Sequence, residues 1–295
     1  MLSNRAKGIL LMIAAWQVVP FMDDIVKYLT DYYPVAQLVW ARFFFHFAFV
    51  APVVLWRYGV RGFATPRPSL QILRGAFLWG ATILFFSAIR YLPLANAISL
   101  IFIAPILLVA LSPLVLKERV PVSRWIAVGT GFAAVLIIVR PGFGEFHWAS
   151  ILALGAAVSF SLYLLSTRLL SGTAPAIVTL TYQSVFGLVV MTAVLPFVWQ
   201  TPTPPHFLLL PAIGAIAATG HFLIIKAFEY ADASVLAPFN YTEILMATVI
   251  GYLFFDDFPD AWSWLGIATI VATAVYLTLP ERAPDPDRRV GRAER

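Results

Sequence analysis

The chain has 295 residues, of which 61% are hydrophobic and 12% charged, with a net charge of +5 and a mean hydropathy of +0.85. Soluble domains carry about 25% charged residues, so the charges here are too few to cover a water-facing surface. The absence of cysteine excludes disulfides, thiolate zinc sites and cysteine nucleophiles. The basic residues lie in short loops between apolar blocks, so we expect no nucleic-acid binding.

The apolar residues fall into blocks of about 20, the length needed to cross a hydrocarbon core of roughly 30 Å. We number ten predicted spans in chain order, at 7–29, 34–57, 69–91, 94–116, 122–140, 148–170, 174–198, 207–230, 233–254 and 260–279. The loops between them leave no room for a soluble domain. Residues 281–295 are charged and contain prolines, which predicts a disordered cytoplasmic tail. The predicted fold class is an all-α, multi-pass protein of a bacterial inner membrane.

Lysine and arginine are unevenly divided between the two sets of loops. The set that includes the N-terminus carries most of them, namely Arg5, Lys7, Arg57, Arg61, Arg67, Lys117, Arg119, Arg124, Arg168 and five arginines of the tail. The other set has Lys27, Arg90 and Arg140 near span ends, together with several aspartates. Because cytoplasmic loops are enriched in basic residues, both termini are predicted to be cytoplasmic. This orientation requires an even number of spans.

The sequence also contains an internal repeat. Shifts of 139 to 141 residues superpose Ala88-Ile-Arg-Tyr91 on Ala227-Phe-Glu-Tyr230, Leu116-Lys-Glu118 on Phe255-Asp-Asp257, Lys27 on Arg168 and Arg42 on Gln183. The repeat predicts two units of five spans each, at 5–140 and 148–280. An odd number of spans inserts the second unit upside down, which predicts an inverted repeat of the kind that supports alternating access in transporters.

Short motifs at the ends of spans resemble a known family. They are Leu116-Lys-Glu-Arg-Val120 and Trp125-x-x-x-Gly129 in the first unit, and Phe255-Asp-Asp-Phe258 and Trp264-Leu-Gly266 in the second. Over about residues 5 to 280 the chain resembles the EamA branch of the drug/metabolite transporter superfamily, most closely the YddG-type exporters of aromatic and other neutral amino acids. Asp257 departs from the usual glutamate but keeps the carboxylate. The resemblance implies ten helices around a central cavity, lined mainly by spans 1, 3, 4, 6, 8 and 9.

Ionisable side chains within a span cost a few kcal/mol or more, so each one calls for a reason. Glu243 lies about ten residues into span 9, near the bilayer midplane. It is interpreted as a partner for an ammonium group or as a proton carrier, with a helix–helix hydrogen bond as the alternative. Asp23, Asp24 and Arg42 lie at similar depth, roughly 10 Å below the periplasmic side, so one aspartate is expected to pair with Arg42. That pair is either structural or a gate.

Aromatic and small polar residues within the spans form the rest of the predicted cavity. Aromatic side chains at bilayer depth either cage a substrate or pack between helices, and the candidates are Trp16, Trp79, Phe102, Tyr163 and Tyr241. Small polar side chains suit hydrogen bonding of an amino or carboxylate group, and the candidates are Gln17, Ser99, Ser159 and Asn240. His221 and its repeat mate Thr82 complete the set.

Two further groups of residues are assigned structural roles. Arg74, Arg90, Lys226 and Glu229 are expected to extend towards the headgroups from near the span ends. Pro20, Pro105 and Pro238 are expected to interrupt spans 1, 4 and 9 and to free backbone groups beside a cavity.

These observations predict a secondary transporter that exports amino acids or related small metabolites by alternating access. Efflux of drugs, amines or sugars is the nearest alternative, and a channel or an intramembrane enzyme is a more distant one. No phosphate-binding loop is present, so ATP is not the energy source, and the sequence leaves protons and the substrate gradient open. We expect no catalytic residues, no metal and no cofactor. The expected partners are a small-molecule substrate and the lipid bilayer, with a monomer as the working unit.

Overall fold

The computed structural model describes residues 2–92, 94–139, 147–255 and 260–278, and all the regular elements in these ranges are helices. The α-helices are α1 (Asn4–Leu29), α2 (Val35–Tyr58), α3 (Pro68–Tyr91), α4 (Leu94–Ile101), α5 (Ala104–Val115), α6 (Val122–Val139), α7 (Ala149–Leu169), α8 (Ala176–Val194), α9 (Pro204–Tyr230), α10 (Ala233–Leu236), α11 (Glu243–Phe255) and α12 (Ala261–Thr278). Three 3-10 helices lie at Val60–Phe63, Leu195–Phe197 and Ala237–Thr242. The tail 281–295 and Asp257 lie outside the described residues.

The helices confirm the prediction of a multi-pass membrane protein. Within the described ranges, eight helical segments are long and apolar enough to cross a membrane: Asn4–Leu29, Val35–Tyr58, Pro68–Tyr91, Ala97–Val115, Ala149–Leu169, Ala176–Phe197, Pro204–Tyr230 and Ala233–Ile250. They coincide with eight of the predicted spans. The two other predicted spans, 122–140 and 260–279, contain the shorter apolar helices Val122–Ile137 and Trp264–Thr273.

Local sequence signals set several helix ends. Ser3 caps α1, because its Oγ accepts a hydrogen bond from the backbone N–H of Ala6 at 3.2 Å. Pro68 and Pro204 occupy the first turns of α3 and α9, where the missing N–H needs no partner. Gly59 follows α2 with φ of +63°, a conformation that favours glycine, and turns the chain out of the helix.

Two of the three predicted helix interruptions are present. Span 4 breaks between α4 and α5, at Phe102 and Ile103, and Pro105 lies in the first turn of α5. Span 9 changes to the 3-10 helix Ala237–Thr242, which contains Pro238. The prediction for Pro20 is wrong, because α1 continues through it without a break. Pro20 removes one backbone N–H, a loss that membrane helices tolerate when neighbouring groups compensate.

Most of the long helices pack side by side in pairs. Helix α1 lies along α9, α3 along α7, and α2 along α8 and α9, whereas α6 and α12 pack on each other beside the 3-10 helix Ala237–Thr242. Gly214 permits the contact between α9 and α2, since a Cβ there would lie 2.7 Å from the backbone N of His46. Gly8 similarly brings α1 close to the carbonyl of Ala227 on α9.

Candidate functional site

A cavity lies between α1, α2, α3, α7 and α9, with the two helix interruptions on its other side. Its interior volume is about 80 Å³. Ligand pockets are commonly 300–1,000 Å³, so a small metabolite requires a wider cavity than this state of the protein provides.

Of the fifteen candidate site residues predicted from the sequence, eight line this cavity and seven do not. Those that line it are Trp16, Asp23, Arg42, Thr82, Phe102, His221, Asn240 and Glu243. Those outside the lining are Gln17, Asp24, Trp79, Ser99, Ser159, Tyr163 and Tyr241. The lining residues therefore include two carboxylates, Asp23 and Glu243, and one guanidinium, Arg42, which could recognise a charged ligand.

Two carboxylates lie on one side of the cavity. Asp23 projects from α1 and Glu243 is the first residue of α11, and both are 5% exposed. Asp23 lies close enough to Glu243 and to Arg42 to interact electrostatically with both. No hydrogen-bond donor for either carboxylate is found within the described ranges. Buried carboxylates without donors create a strong preference for a cation in the cavity.

Arg42 supplies the positive charge of the cavity. Its Nη1 donates to Thr82 Oγ1, and its Nη2 lies 2.7 Å from His221 Nε2. Its Nε is buried and has no partner. Among the described residues no carboxylate lies within ion-pair distance of Arg42, so Asp23 and Arg42 share the cavity without a direct ion pair. Arg42 therefore has one buried donor that no described residue satisfies.

Asn240 offers a second unused donor. Trp16 Nε1 donates to Asn240 Oδ1 at 2.9 Å, whereas the buried Asn240 Nδ2 has no hydrogen-bond partner. Gln17 lies behind this contact, where its Nε2 donates to the carbonyl of Thr242 at 2.9 Å. Helix α1 thus holds the 3-10 helix Ala237–Thr242 in place and aligns the amide of Asn240.

The remaining wall of the cavity is aromatic and aliphatic. Trp16 packs edge-on against Phe160, with ring centroids 5.9 Å apart, and both line the cavity. Phe85 and Phe86 on α3 line it as well, as does Phe102. Such a wall accepts an apolar body and excludes water from the charged groups opposite.

Phe102 and Tyr241 join the two helix interruptions. Their rings are 5.5 Å apart at an interplanar angle of 67°, and the Tyr241 hydroxyl donates to the carbonyl of Phe102 at 3.3 Å. Tyr241 itself is wholly buried behind the cavity. The two positions differ by 139 residues, the offset of the internal repeat.

Tyr163 and Arg74 lie behind the basic side of the cavity. The Tyr163 hydroxyl lies 2.9 Å from His221 Nδ1, and Arg74 Nη2 donates to the same hydroxyl at 3.1 Å. Arg74 is 0% exposed, so the prediction that it extends to the headgroups is wrong. Its partners on α7 and α8 hold the guanidinium inside the protein, whereas Arg90, assigned the same role, is exposed.

The other predicted residues contribute to packing or lie elsewhere. Trp79 packs edge-on against Phe186, with centroids 5.7 Å apart, and Ser159 contacts the position where a Cβ on Gly80 would lie. Ser99 is buried outside the lining, and Asp24 is half-buried on α1.

Sequence reasoning missed the apolar lining of α3 and α7. Leu78, Phe85, Phe86 and Phe160 were not singled out, although they line the cavity. A signal was present in the spacing, because Leu78, Thr82 and Phe85 follow the three- and four-residue intervals of a single helix face.

A second polar cluster joins the ends of several helices. Arg168 Nε lies 3.1 Å from Glu118 Oε1, Nη1 donates to the carbonyl of Phe228 at 2.9 Å, and Nη2 pairs with Asp232. Glu118 also accepts hydrogen bonds from the backbone N–H groups of Ala233 and Ser234, at 3.2 and 3.3 Å. The cluster fastens α7, α9 and α10 to the segment after α5.

Lys27 makes the corresponding contact near the other end of α1. Its Nζ donates to the carbonyls of Ile89 and Leu92. Ile89 precedes Phe228 by 139 residues, and Lys27 precedes Arg168 by 141. Two basic residues at repeat-related positions therefore bind carbonyls at repeat-related positions.

Several characterised proteins are similar to this chain. The S-adenosylmethionine uptake transporter of Rickettsia conorii is 26% identical over 260 residues, which are 88% of each chain. The riboflavin transporter of Rhizobium johnstonii is 26% identical over 93% of this chain and 92% of its own. The pseudopaline exporter CntI of Pseudomonas aeruginosa is 28% identical over 92% of this chain and 95% of its own.

A solved crystal structure superposes with a TM-score of 0.75 over 93% of this chain and 96% of the other, at 20% identity, which shows a shared fold. The model of the EamA-like transporter family matches residues 6–140 and again residues 147–279. The relatives are transporters and not enzymes. With nearly the whole sequence matched by the family model and a cavity at the centre of its helices, the chain belongs to the EamA-like transporter family.

Proposed function

We propose that this protein is a secondary transporter that exports amino acids or closely related zwitterionic metabolites. The observation that carries this proposal is the charge arrangement of the cavity. Among the described residues, the carboxylates of Asp23 and Glu243 receive no hydrogen bond, and Arg42 and Asn240 each have one buried donor without an acceptor. Each unsatisfied buried group is costly in isolation, and a ligand that carries both an ammonium and a carboxylate satisfies both sets.

The aromatic wall supports a substrate with an apolar side chain. Trp16, Phe85, Phe102 and Phe160 face the same cavity as the charged groups. An aromatic side chain of an amino acid buries its surface against these rings while its charged end reaches the polar groups. This arrangement agrees with the resemblance to exporters of aromatic and neutral amino acids.

We infer alternating access between two inverted five-helix units, at 5–140 and 148–280. In the repeat, α1 corresponds to α7 and α3 to α9, so exchanging the two units turns the contact between α1 and α9 into the contact between α7 and α3. Helix α2 packs against its own repeat mate α8, and α6 packs against its own repeat mate α12. The contact between Phe102 and Tyr241 and the matching contacts of Lys27 and Arg168 support the same relation. Discontinuous helices beside a central site are characteristic of such transporters.

The proposed topology has ten spans with both termini in the cytoplasm of a bacterium. It places the Arg168 cluster at the cytoplasmic end and Lys27 near the periplasmic end, so the cluster closes the cytoplasmic exit in this state. Reporter fusions at Arg61 and Glu118 are expected to read cytoplasmic, and a fusion at Glu145 periplasmic. A periplasmic reading at Arg61 or Glu118 contradicts the topology.

The decisive experiment measures transport by the purified protein in liposomes, with three compounds that share one apolar body: phenylalanine, phenethylamine and 3-phenylpropionate. The zwitterion is expected to be transported best, because only it satisfies both charged sides of the cavity. S-adenosylmethionine and riboflavin belong in the panel, because relatives are named for them.

Saturable flux that a related solute competes away separates a carrier from a channel. The empty liposome is the control, and Asp23→Asn with Arg42→Gln is the matched inactive variant. Equal transport of the three phenyl compounds, or transport of riboflavin alone, overturns the proposal of a zwitterionic substrate.

A further inference from the structure

A hydrogen-bond network lies behind Arg42 and His221 and includes Arg74, a cation for which the described residues supply no counter-ion. Arg74 donates from Nε to Thr167 Oγ1 at 2.7 Å, from Nη1 to the carbonyl of Thr179 at 3.0 Å, and from Nη2 to Gln183 Oε1 at 2.6 Å and Tyr163 at 3.1 Å. All of these acceptors are neutral, and within the described ranges no carboxylate pairs with Arg74. A fully buried charge held in this way requires a role that offsets its desolvation.

The donors and acceptors of the network permit one arrangement of protons. A guanidinium can only donate, so His221 Nε2 accepts from Arg42 Nη2 at 2.7 Å. A neutral imidazole then carries its proton on Nδ1, which donates to the Tyr163 oxygen at 2.9 Å. That oxygen also accepts from Arg74, so its own proton is donated to Gln183 Oε1, 3.1 Å away. Every distance in the chain is consistent with this order.

The same arrangement determines the direction in which Arg42 points. Thr82 and His221 each hold one terminal nitrogen of Arg42, and the buried Nε has no partner among the described residues. If His221 carried its proton on Nε2, two donors would face each other and this contact would be lost. Tyr163 opposes that tautomer, because its hydroxyl donates to Gln183 Oε1 and therefore accepts the hydrogen bond from Nδ1 of His221.

We propose that Tyr163 is a positioning residue for the anionic end of the substrate, although it does not line the cavity. Anchored by Arg74 and Gln183, it fixes the tautomer of His221, and His221 then aligns Arg42 for a carboxylate. This inference rests on the proposed function in one respect, the carboxylate of the substrate. The network itself adds three residues to the recognition of that group: Arg74, Tyr163 and Gln183.

The test combines Tyr163→Phe with a matched loss of another tyrosine hydroxyl, Tyr182→Phe. Tyr182 directly precedes Gln183 on α8, but its hydroxyl donates to the carbonyl of Phe63 and makes no contact with the described residues of the network. In Tyr163→Phe the affinity for phenylalanine is expected to fall about tenfold, whereas that for phenethylamine changes less than about twofold, since only the former has a carboxylate. Tyr182→Phe is expected to leave both affinities unchanged. Equal losses for the two compounds in Tyr163→Phe, with a lowered melting temperature, overturn the proposal.

Nitrogen NMR of histidine-labelled protein provides a readout that packing does not produce. The chain has four histidines, so His221→Gln assigns the His221 signals by difference. The wild type is expected to carry the His221 proton on Nδ1, and Tyr163→Phe to show a mixture of tautomers. A proton on Nε2 in the wild type, or an unchanged tautomer in the variant, contradicts the network.

Two outcomes separate this inference from the proposed function. If the wild type binds neither phenylalanine nor phenethylamine, the proposed substrate is wrong, and the NMR result still decides whether Tyr163 controls His221. If Tyr163→Phe does not fold, His221→Gln and His221→Leu replace it. The Gln oxygen is expected to accept from Arg42 and keep phenylalanine affinity within about threefold of the wild type, whereas Leu loses about tenfold. Equal loss in both variants overturns the proposal.

Discussion

The change Glu243→Gln tests the acidic side of the cavity. Glu243 is 5% exposed, lines the cavity and has no hydrogen-bond donor among the described residues, so the isosteric amide removes a charge without breaking a contact within the protein. A hydrogen bond to a charged group contributes about 1.5–3 kcal/mol. Because Asp23 remains beside the same ligand, we expect the lower end of that range, or about a tenfold loss of affinity for an ammonium-bearing substrate.

The assay is competition binding with phenylalanine and 3-phenylpropionate, which share the apolar body and the carboxylate. Only phenylalanine is expected to bind more weakly to Glu243→Gln. Glu229→Gln is the matched control, because Glu229 pairs with Lys226 near the end of α9 and does not line the cavity. An equal change for both compounds, or no change for phenylalanine, refutes the assignment of Glu243 to the ammonium group.

Three further predictions concern packing and closure. Phe160→Ala should remove apolar contact of about 1–3 kcal/mol and weaken phenylalanine far more than alanine, whereas Trp79→Ala should lower the melting temperature and weaken both substrates alike. Gly214→Ala should destabilise the protein by about 1–3 kcal/mol in thermal unfolding, because the new Cβ meets the backbone of α2; an unchanged melting temperature would contradict that contact. Arg168→Ala should raise the labelling of a cysteine introduced near the end of α7 that carries Arg168, since it removes the contacts to Glu118 and Phe228; unchanged labelling would exclude the proposed closure by this cluster.

Most of the helical framework was predictable from the sequence, because crossing lipid imposes a length on each apolar block. The interruptions of spans 4 and 9 were predictable from Pro105 and Pro238, which remove backbone donors. Pro20 carries the same local signal within a helix that stays continuous. Whether a proline breaks a membrane helix depends on what neighbouring helices supply, and the sequence of one helix does not contain that information.

The charged residues of the candidate site were predictable because they lie within apolar spans. Asp23, Arg42 and Glu243 were identified because a charge within a span requires a reason, and all three line the cavity. Phe160 was missed because a phenylalanine within an apolar span has the same polarity as its neighbours, and nothing in the sequence distinguishes it from a packing residue. Arg74 was misjudged because counting residues gives depth along a helix and not the direction of the side chain.

The two units differ at repeat-related positions in and behind the cavity, and for the proposed transporter this difference has a consequence for how a solute travels. Arg42 in the first unit corresponds to Gln183 in the second, and Thr82 corresponds to His221. A frame of two equivalent halves would accept a dipolar guest in either of two opposite poses with equal ease. Among the described lining residues one guanidinium, that of Arg42, stands with two carboxylates, which removes that degeneracy. In the proposed transport cycle a zwitterion bound here therefore keeps the same end leading throughout its passage, and the pose reversed end to end is rejected.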